Sequence, residues 1–495
     1  MATVQEYLVS IGGQWRGARS GRTFETVNPF TGAAWARLPR CAAEDVDEAV
    51  AAARKAFDQG PWATMSASDR GRLLLKLGAL AGRDAERLAE IEVRDNGKLY
   101  AEMRGQMHYA VRWWEYFGGL ADKIEGGVLP IDKADYFTFT LREPLGPVAL
   151  ITPWNSPLML ATWKMAPALA AGNTLVWKPS EFTSASAVHF MRLVEEAGFP
   201  PGVVNLVTGF GAEVGEPLVA HREIRKVAFT GGDATGERVY ATAARGLKPA
   251  VMELGGKSAN IVFEDAVIDE AVKGAVAGIF AASGQTCIAG SRLLLQRSIH
   301  EEFVKRLVEF ARQAQLGDPM SPATQVGPIT TPAQCAKVLE YIAIARAEGA
   351  TIVLGGAAAT VEGSSSTLFV QPTIFTNVRN DMRIAREEVF GPVLAIIPFD
   401  DEADAVRIAN DSVFGLAAGV WTTDAKRMLR LARQLRVGTV WINTYRAISF
   451  MAPFGGQGRS GFGRENGQHA IEEFLQTKSV WIHVGNEAPS PFAMR

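Results

Sequence analysis

From about residue 145 onward, short β-rich runs alternate with helical stretches. "PVALITP" predicts a strand, and "LMLATWKMAPALAAG" predicts a helix that ends at a glycine. The alternation continues through "NTLVWKPS", "SASAVHFMRLVEEAGFP", "GVVNLVTG", "KVAFTGG", "KPAVMELGG" and "SANIVFED". Strands flanked by helices at this spacing indicate βαβ units, and therefore a parallel sheet with helices on both faces. Because ligands bind such sheets at the carboxyl ends of the strands, the residues that follow each strand are the functional candidates.

The rest of the chain adds further units to this sheet. With 495 residues the chain is too long for one hydrophobic core, so we expect two or three domains. The first 120 residues are predicted to be mostly helical, and a second α/β set is predicted from Phe263 onward. "DYFTFTLREP" and, near the end, "KSVWIHVG" predict extended segments. Two such strands far apart in sequence suit an edge that pairs with another subunit, which favours a homo-oligomer, either a dimer or a tetramer.

The charge balance and the cysteines exclude several classes of protein. Lys and Arg number 51 and Asp and Glu number 53, so neither nucleic acid nor an anionic membrane is expected as a partner. The chain shows no signal-peptide pattern and no long apolar run, which favours a cytoplasmic location. Cys41, Cys287 and Cys335 are widely spaced and the six histidines are scattered. We therefore expect no disulfide framework and no metal site.

Two glycine-rich loops are candidates for phosphate binding. A literal G-x-G-x-x-G lies at 456–461, but no apolar helix follows it, so it fails the strand–loop–helix context. In "FTGGDATGERVYATAA", the strand runs into Gly231 and Gly232, and a helix begins near Gly236. Small residues there let the backbone approach a pyrophosphate at the helix N-terminus. An ordinary β–α turn is the alternative interpretation.

The turn in "VWKPSE" is a candidate for ribose binding. Lys178 stands at a strand end, where it can hydrogen-bond ribose hydroxyls, and Glu181 can do the same while repelling a 2′-phosphate. A carboxylate there favours NAD over NADP as the cofactor. A solvated Lys–Glu surface turn is the alternative.

Four further stretches occur together and in order: "PWNSP", "MELGGKS", "GQTCIAGSR" and "EEVFGPV". With "FTGG", "KPSE" and "PFGG…SGFGRE", this set resembles the aldehyde dehydrogenase superfamily over nearly the whole chain. The resemblance implies an α/β fold with three parts. These are a Rossmann-like NAD-binding domain over 1–122 and 144–254, a second α/β catalytic domain over 255–460, and a small β oligomerisation arm over 123–143 and 470–495.

The resemblance also assigns chemical roles. Cys287 matches the nucleophile that attacks an aldehyde carbonyl as a thiolate, for which we expect a partly exposed, electropositive setting. Asn155 matches the donor that, with the Cys287 backbone N–H, holds the developing alkoxide. Glu253 matches the base that activates water to hydrolyse the thioester. Lys164 and Glu465 match a proton relay behind that base, although a structural ion pair is the alternative for Glu465.

The family's cofactor and substrate positions carry over to this chain in the same way. The resemblance places the following residues against NAD: Trp154, Lys178, Ser180, Glu181, Gly211, Phe229, Thr230, Gly231, Gly232, Gly236, Leu254, Glu388 and Phe390. It places another group at the substrate: Ser156, Leu160, Trp163, Thr286, Ile288, Arg446, Ile448, Phe450 and Phe454. The helix "YAVRWWEYFGGLADK" is expected to bring Arg112, Trp113 and Trp114 to the same region.

This chain departs from the family pattern at three positions, Ser156, Gly232 and Gln476, and Arg446 is a further candidate for substrate recognition. Ser156 replaces a frequent aromatic residue and should widen the substrate tunnel or make it more polar. Arg446 stands near the expected tunnel mouth, where a cation would attract a carboxylate; a solvated loop arginine is the alternative. Gly232 replaces a common serine, and Gln476 replaces an interface glutamate of some relatives. The substrate is therefore expected to be a bulky, aromatic or carboxylate-bearing aldehyde.

Two other functions compete with NAD-dependent oxidation of an aldehyde to the free acid. A coenzyme-A-acylating enzyme would pass the thioester to a thiol, but Glu253 argues against it because a water-activating base would compete. A non-catalytic protein that keeps the fold would tolerate loss of the chemical residues. Cys287, Glu253 and Asn155 are all present, which favours the enzyme.

Overall fold

The computed structural model describes residues 4–486 and residue 492. Part of the predicted oligomerisation arm, residues 487–491 and 493–495, lies outside the described residues, as do residues 1–3. The α/β fold class expected from the sequence is confirmed, with two large and mainly parallel sheets.

The N-terminal part begins with strands and continues with helices. The predicted mostly helical character of the first 120 residues is wrong for residues 5–39, which form five short strands: β1 Gln5–Glu6, β2 Val9–Ile11, β3 Gln14–Arg16, β4 Thr23–Val27 and β5 Ala34–Pro39. These strands are too short for a clear alternation of apolar and polar residues. Helices follow: α1 Ala43–Asp58, α2 Pro61–Thr64, α3 Ala67–Arg83, α4 Ala85–Asn96 and α5 Tyr100–Leu120.

The two predicted extended segments pair with each other. Strand β6, Tyr136–Pro144, runs antiparallel to strand β22, Leu475–His483, in a continuous register from Leu475 opposite Pro144 to His483 opposite Tyr136. This two-stranded ribbon carries exposed apolar side chains, including Phe137, Leu141 and Trp481. An isolated two-stranded ribbon is only marginally stable in water, so we expect another surface to pack against these exposed side chains.

The first large sheet has six strands in the order β21-β11-β10-β7-β8-β9. Its members are β7 Pro147–Ile151, β8 Thr174–Lys178, β9 Val204–Leu206, β10 Lys226–Thr230, β11 Ala250–Glu253 and β21 Gly461–Phe462. Only β21 is antiparallel, to β11. The five parallel strands are buried along their whole length, as expected when helices cover both faces of a sheet. Helices α6 Pro157–Ala170, α7 Ala185–Ala197, α8 Glu216–Ala220 and α9 Asp233–Arg245 connect them.

The second large sheet has seven strands in the order β14-β17-β18-β13-β12-β19-β20. They are β12 Ala259–Val262, β13 Arg292–Gln296, β14 Thr351–Leu354, β17 Thr373–Thr376, β18 Val393–Phe399, β19 Ala417–Trp421 and β20 Thr439–Ile442. Strand β12 lies here, between β13 and β19, so the expectation that "SANIVFED" continues the first series of strands is wrong. A small ribbon joins β15 Ala358–Ala359 to β16 Phe369–Val370.

Seven helices complete the described part of the chain. They are α10 Ile268–Ile279, α11 His300–Ala311, α12 Pro332–Ala347, α13 Arg383–Arg386, α14 Glu402–Asn410, α15 Ala425–Gln434 and α16 His469–Glu472. No helix in the part that the structure describes is long and apolar enough to cross a membrane. The carboxyl ends of β7, β10 and β11 lie side by side in the first sheet. The candidate residues Asn155, Gly231 and Glu253 lie at these ends or just after them in the chain.

Candidate active site

The loop that carries Cys287 has an unusual backbone. Ala282, Ser283 and Gly284 occupy the left-handed region in succession, with φ of 55°, 53° and 72°. A Cβ on Gly284 would lie 2.0 Å from the carbonyl oxygen of Gly391, so only glycine fits there. The Ser283 hydroxyl donates to the Gly327 carbonyl at 2.8 Å. Backbone strain of this kind persists only when surrounding contacts fix the loop, and it is concentrated at functional sites.

Asn155 lies between the end of β7 and the start of α6. Its Nδ2 donates to the carbonyl of Gln285, two residues before Cys287, at 3.0 Å, which joins the two loops. The first turn of α6 is also anchored, because the Leu158 N–H donates to Glu92 Oε1 at 2.8 Å. The structure therefore brings the predicted oxyanion donor beside the nucleophile loop.

Glu253 ends β11 and is buried, with 4% of the residue exposed. Within the described residues Oε1 has no hydrogen-bond partner. Burial first, and then the nearby Glu465 carboxylate, raise the pKa of Glu253 well above its ordinary value. A buried carboxylate with a free oxygen and a raised pKa has the properties of a general base or acid.

Lys164 and Glu465 form a buried ion pair. Lys164 Nζ donates to Glu465 Oε1, and also to Thr230 Oγ1 at 2.6 Å. Thr230 is the direct strand partner of Glu253 across β10 and β11. The pair therefore lies close to Glu253, and burial raises the pKa of Glu465.

The surroundings of Cys287 differ from expectation. The residue is partly exposed, but burial of the thiol, together with the Glu253 and Glu388 carboxylates, raises its pKa to about 12. The predicted electropositive setting is therefore wrong, because Glu253 and Glu388, the charged residues that act on the thiol, are both negative. The thiol needs a positive charge from outside the chain, or loss of the carboxylate charges, to ionise near neutral pH.

A cavity of about 730 Å³ runs from Cys287 along the carboxyl ends of the first sheet. It lies within the size range of small-molecule and cofactor sites. Three residues of the predicted chemical and substrate sets line it: Asn155, Leu160 and Cys287. So do twelve of the predicted cofactor residues: Trp154, Lys178, Ser180, Glu181, Gly211, Phe229, Thr230, Gly231, Gly232, Leu254, Glu388 and Phe390.

Gly236 is the exception among the predicted cofactor residues. It is absent from the cavity wall, and a Cβ there would lie 2.3 Å from Leu254 Cδ2. Gly236 thus allows close packing of α9 on Leu254, which does line the cavity. The literal G-x-G-x-x-G at 456–461 also lies outside the lining.

The walls of the cavity suit a dinucleotide. The N-terminus of α9 lies in it, with Gly231 and Gly232 preceding the helix, and a helix N-terminus favours phosphate. Lys178 Nζ pairs with Glu181 Oε2 at 3.1 Å at one end of the cavity. Near Cys287, Glu388 Oε1 accepts the Gly256 N–H at 2.9 Å, which fixes its carboxylate.

Several lining residues were missed from the sequence: Glu216, Arg238, Thr242, Arg245, Gln334 and Lys337. Arg238, Thr242 and Arg245 lie on α9 and could have been found by extending the glycine loop along its helix. Gln334 and Lys337 lie on α12 and carry no local signal. They reach the cavity only because α12 packs near Val389 and Phe390, whose carbonyls accept from Gln334 Nε2.

Aromatic side chains gather around the predicted substrate residue Trp163. Trp113 stacks on Trp163 with ring centroids 5.8 Å apart, and Phe454 meets Trp163 edge-on at 5.3 Å. Phe450 contacts Trp113 at 5.7 Å. Tyr109 donates its hydroxyl to the Ile448 carbonyl at 3.1 Å. The four predicted residues in this group, Trp163, Ile448, Phe450 and Phe454, thus pack together in one group, here called the aromatic wall, and none of them lines the cavity that contains Cys287.

Other predicted substrate residues have different environments. Thr286 and Ile288 flank Cys287 in the chain; Ile288 is buried at 3% exposure. Ser156 is buried and accepts a hydrogen bond from Lys98, a residue that the sequence did not single out. Arg446 is paired with Glu102 and is not a free loop arginine.

Two residues of α5 do not join this wall, so their expected placement is wrong. Arg112 is exposed and pairs with Glu115 one turn along the helix. Trp114 stacks on Phe190 of α7 at 5.7 Å, on a different face of α5 from Trp113. Successive helical residues point about 100° apart, so Trp113 and Trp114 pack against different neighbours.

A parallel α/β sheet with a dinucleotide-sized cavity at the carboxyl ends of its strands is typical of one class of protein, the α/β proteins that bind nucleotides. The profile of the aldehyde dehydrogenase family matches residues 15–480. Among the described residues no cluster of His, Cys, Asp or Glu could hold a metal ion.

Individual relatives agree with this match. The chain is 42% identical over 494 residues to a (Z)-2-((N-methylformamido)methylene)-5-hydroxybutyrolactone dehydrogenase of Acinetobacter baylyi, covering 99% of this chain and 100% of that one. It is 44% identical to retinal dehydrogenase 2 of Mus musculus, covering 96% and 92% of the two chains. An NAD⁺ complex of an aldehyde dehydrogenase from Bacillus cereus superposes with a TM-score of 0.95, at 44% identity and 97% coverage of each chain. The chain therefore belongs to the aldehyde dehydrogenase family, and it is an oxidoreductase of aldehydes.

Proposed function

We propose that this enzyme oxidises an aldehyde to the free carboxylic acid with NAD, through a thioester on Cys287 that Glu253-activated water hydrolyses. The observation that carries the proposal is the convergence of Cys287, Asn155 and Glu388 on one cavity, with Glu253 close enough to shift the pKa of the thiol. NAD is favoured as cofactor by Glu181, whose carboxylate would repel a 2′-phosphate.

Different lining residues would bind different parts of the cofactor. We assign the ribose hydroxyls to Lys178 and Glu181, the pyrophosphate to the Gly231–Gly232 turn, and the nicotinamide end to Glu388 and Phe390. When bound, NAD supplies a cationic nicotinamide ring, which favours the Cys287 thiolate and accepts the hydride from the substrate carbon.

Bond formation begins at Cys287. The thiolate forms a C–S bond with the aldehyde carbon, and the carbonyl oxygen takes the negative charge as an alkoxide. One hydrogen of Asn155 Nδ2 is bound to Gln285, and the other would donate to this oxygen together with the Cys287 N–H. The alkoxide expels hydride with its electron pair to NAD, which leaves a thioester on Cys287.

Hydrolysis then uses Glu253. Its free Oε1 takes a proton from water, whose oxygen attacks the thioester carbon; the C–S bond breaks and the thiolate leaves. The proton on Glu253 passes toward Glu465 and Lys164, and the products are the acid and the reduced cofactor. If Glu465 serves only as a structural ion pair, replacing it should leave this proton transfer unchanged.

We also propose a division of labour along the chain. Residues 1–122 and 144–254 would hold the cofactor, residues 255–460 would carry the nucleophile, and the segments 123–143 and 470–495 would mediate a homo-oligomer. Exposed apolar residues on the ribbon, Phe137, Leu141 and Trp481 among them, support the last assignment.

Replacement of the nucleophile tests the proposal. Cys287→Ala should abolish NADH formation from every aldehyde while NAD binding, measured by calorimetry, is retained. Added coenzyme A should leave the wild-type rate unchanged and yield no acyl thioester. Full activity in Cys287→Ala, or a requirement for coenzyme A, would overturn the proposal.

A further inference from the structure

A buried lysine lies next to the oxyanion donor. Lys98 Nζ donates to the hydroxyl of Ser156, the residue that follows Asn155, at 3.0 Å. Only 2% of the Lys98 side chain is exposed. Burying a lysine ammonium is costly unless nearby groups compensate its charge. The groups around Lys98 therefore indicate what the site is built to hold.

One carboxylate compensates two cations here. Glu102 Oε1 lies 3.6 Å from Lys98 Nζ and 3.2 Å from Arg446 Nη2. Gln106 Nε2 reaches the same oxygen at 3.5 Å. Glu92 is the other nearby acid, but burial raises its pKa to about 7, so it offsets only part of the remaining charge. Burial also lowers the pKa of Lys98, and the two basic side chains, Lys98 and Arg446, share the single carboxylate that contacts both, Glu102.

The backbone and the neighbouring side chains set Arg446 in place. Arg446 has a φ of +66°, in the left-handed region, and its Nη1 donates to the Ala277 carbonyl at 3.3 Å. Gln106 Oε1 is buried and, within the described residues, has no hydrogen-bond partner. Further along the same face of α5, Tyr109 and Trp113 meet the segment that follows Arg446. The charged cluster therefore adjoins the aromatic wall around Trp163.

We propose that Lys98 and Arg446 bind a carboxylate on the tail of the aldehyde substrate, with Ser156 as an additional donor. The inference rests on the proposed function and adds the substrate class, an aldehyde that carries a second, anionic group. A carboxylate brought to this cluster would supply the negative charge that Glu102 alone does not. The aromatic wall would pack against the carbon skeleton between the two groups.

Two aldehydes of matched size test this specificity. Wild-type kcat/KM should be higher for 4-carboxybenzaldehyde than for 4-methylbenzaldehyde, measured by NADH absorbance. Lys98→Met and Arg446→Gln should each lower the ratio of the two kcat/KM values about tenfold or more, since each removes a charged hydrogen-bond donor. Arg446→Lys, which keeps the charge, should retain more of the ratio than Arg446→Gln. A ratio unchanged in both Lys98→Met and Arg446→Gln would overturn the proposal.

A matched control separates recognition from structure. Arg112→Leu removes an exposed arginine from the same helix, and the ratio should stay at the wild-type value. A purely structural network of Lys98, Glu102 and Arg446 would instead lower kcat/KM for both aldehydes by the same factor. That equal loss would contradict carboxylate recognition.

Product binding gives a readout that does not depend on turnover. Calorimetry should show terephthalate binding to the wild type more tightly than 4-methylbenzoate, and Lys98→Met should remove the difference. Equal affinities in the wild type would overturn the inference. If Cys287→Ala keeps full activity while terephthalate still binds preferentially, the carboxylate site is supported and the proposed reaction is refuted.

Discussion

Replacing Lys164 with methionine tests the buried ion pair behind Glu253. Lys164 and Glu465 have side chains only 1% and 4% exposed, so neither charge can turn to water when its partner is removed. Removing one partner of a buried pair typically costs about 3–5 kcal/mol. We expect Lys164→Met to lower the free energy of unfolding by about this amount at pH 8, in urea titrations at fixed protein concentration.

The stability loss in Lys164→Met depends on pH through the pKa of Glu465. Burial already raises the folded-state pKa of Glu465, and loss of Lys164 raises it further. Between the unfolded pKa, about 4.3, and that raised value, the folded chain binds more protons than the unfolded chain, so stability falls as pH rises. The deficit of Lys164→Met relative to the wild type should therefore be larger at pH 8 than at pH 6.

Two comparisons make the prediction refutable. The double variant Lys164→Met/Glu465→Met should recover most of the loss, because no buried charge remains unpaired. Lys226→Met, the same substitution in β10, leaves Glu473 with 27% of its side chain exposed and should cost less. A loss below about 1 kcal/mol, no recovery in the double variant, or a pH-independent deficit would show that the unpaired Glu465 carboxylate does not destabilise the fold.

Three further predictions concern the reaction. Asn155→Ala should lower kcat about 10²- to 10³-fold in steady-state assays, since it removes one oxyanion donor, and an unchanged kcat would exclude that role. Wild-type kcat should rise with pH as Glu253 ionises through its raised pKa. Glu253→Gln should lose this rise and release about one NADH per site in a stopped-flow burst; sustained wild-type turnover would count against Glu253 as the base. Glu181→Gln should raise kcat/KM with NADP relative to NAD, whereas a wild type that already prefers NADP would show that the carboxylate does not exclude the 2′-phosphate.

Local sequence patterns predicted the strands of the first sheet well. Strands β7, β8 and β10 are continuous apolar runs that end at a Gly, Pro or Lys, and burial on both faces requires such runs. The location of β12 could not be predicted in this way. Its composition fits either sheet, and its place between β13 and β19 depends on pairing with strands distant in the sequence.

The site shows the same limit. The family motifs identified Cys287, Asn155 and Glu253 from the sequence, because each motif is a short contiguous stretch. The bond between Lys98 and Ser156 joins residues 58 positions apart, and the pair of Arg446 and Glu102 spans 344 positions. No local pattern reports such contacts. The negative surroundings of Cys287 were missed for the same reason, because Glu253 and Glu388 come from separate parts of the chain.

Mass spectrometry of Glu253→Gln, after incubation with NAD and an aldehyde that the wild type turns over, shows whether Cys287 carries the covalent intermediate. We expect the peptide containing Cys287 to gain an acyl group in place of the thiol hydrogen, because the thioester forms but is not hydrolysed. NADH formation with an unmodified Cys287 peptide in that variant would contradict a covalent intermediate on this residue.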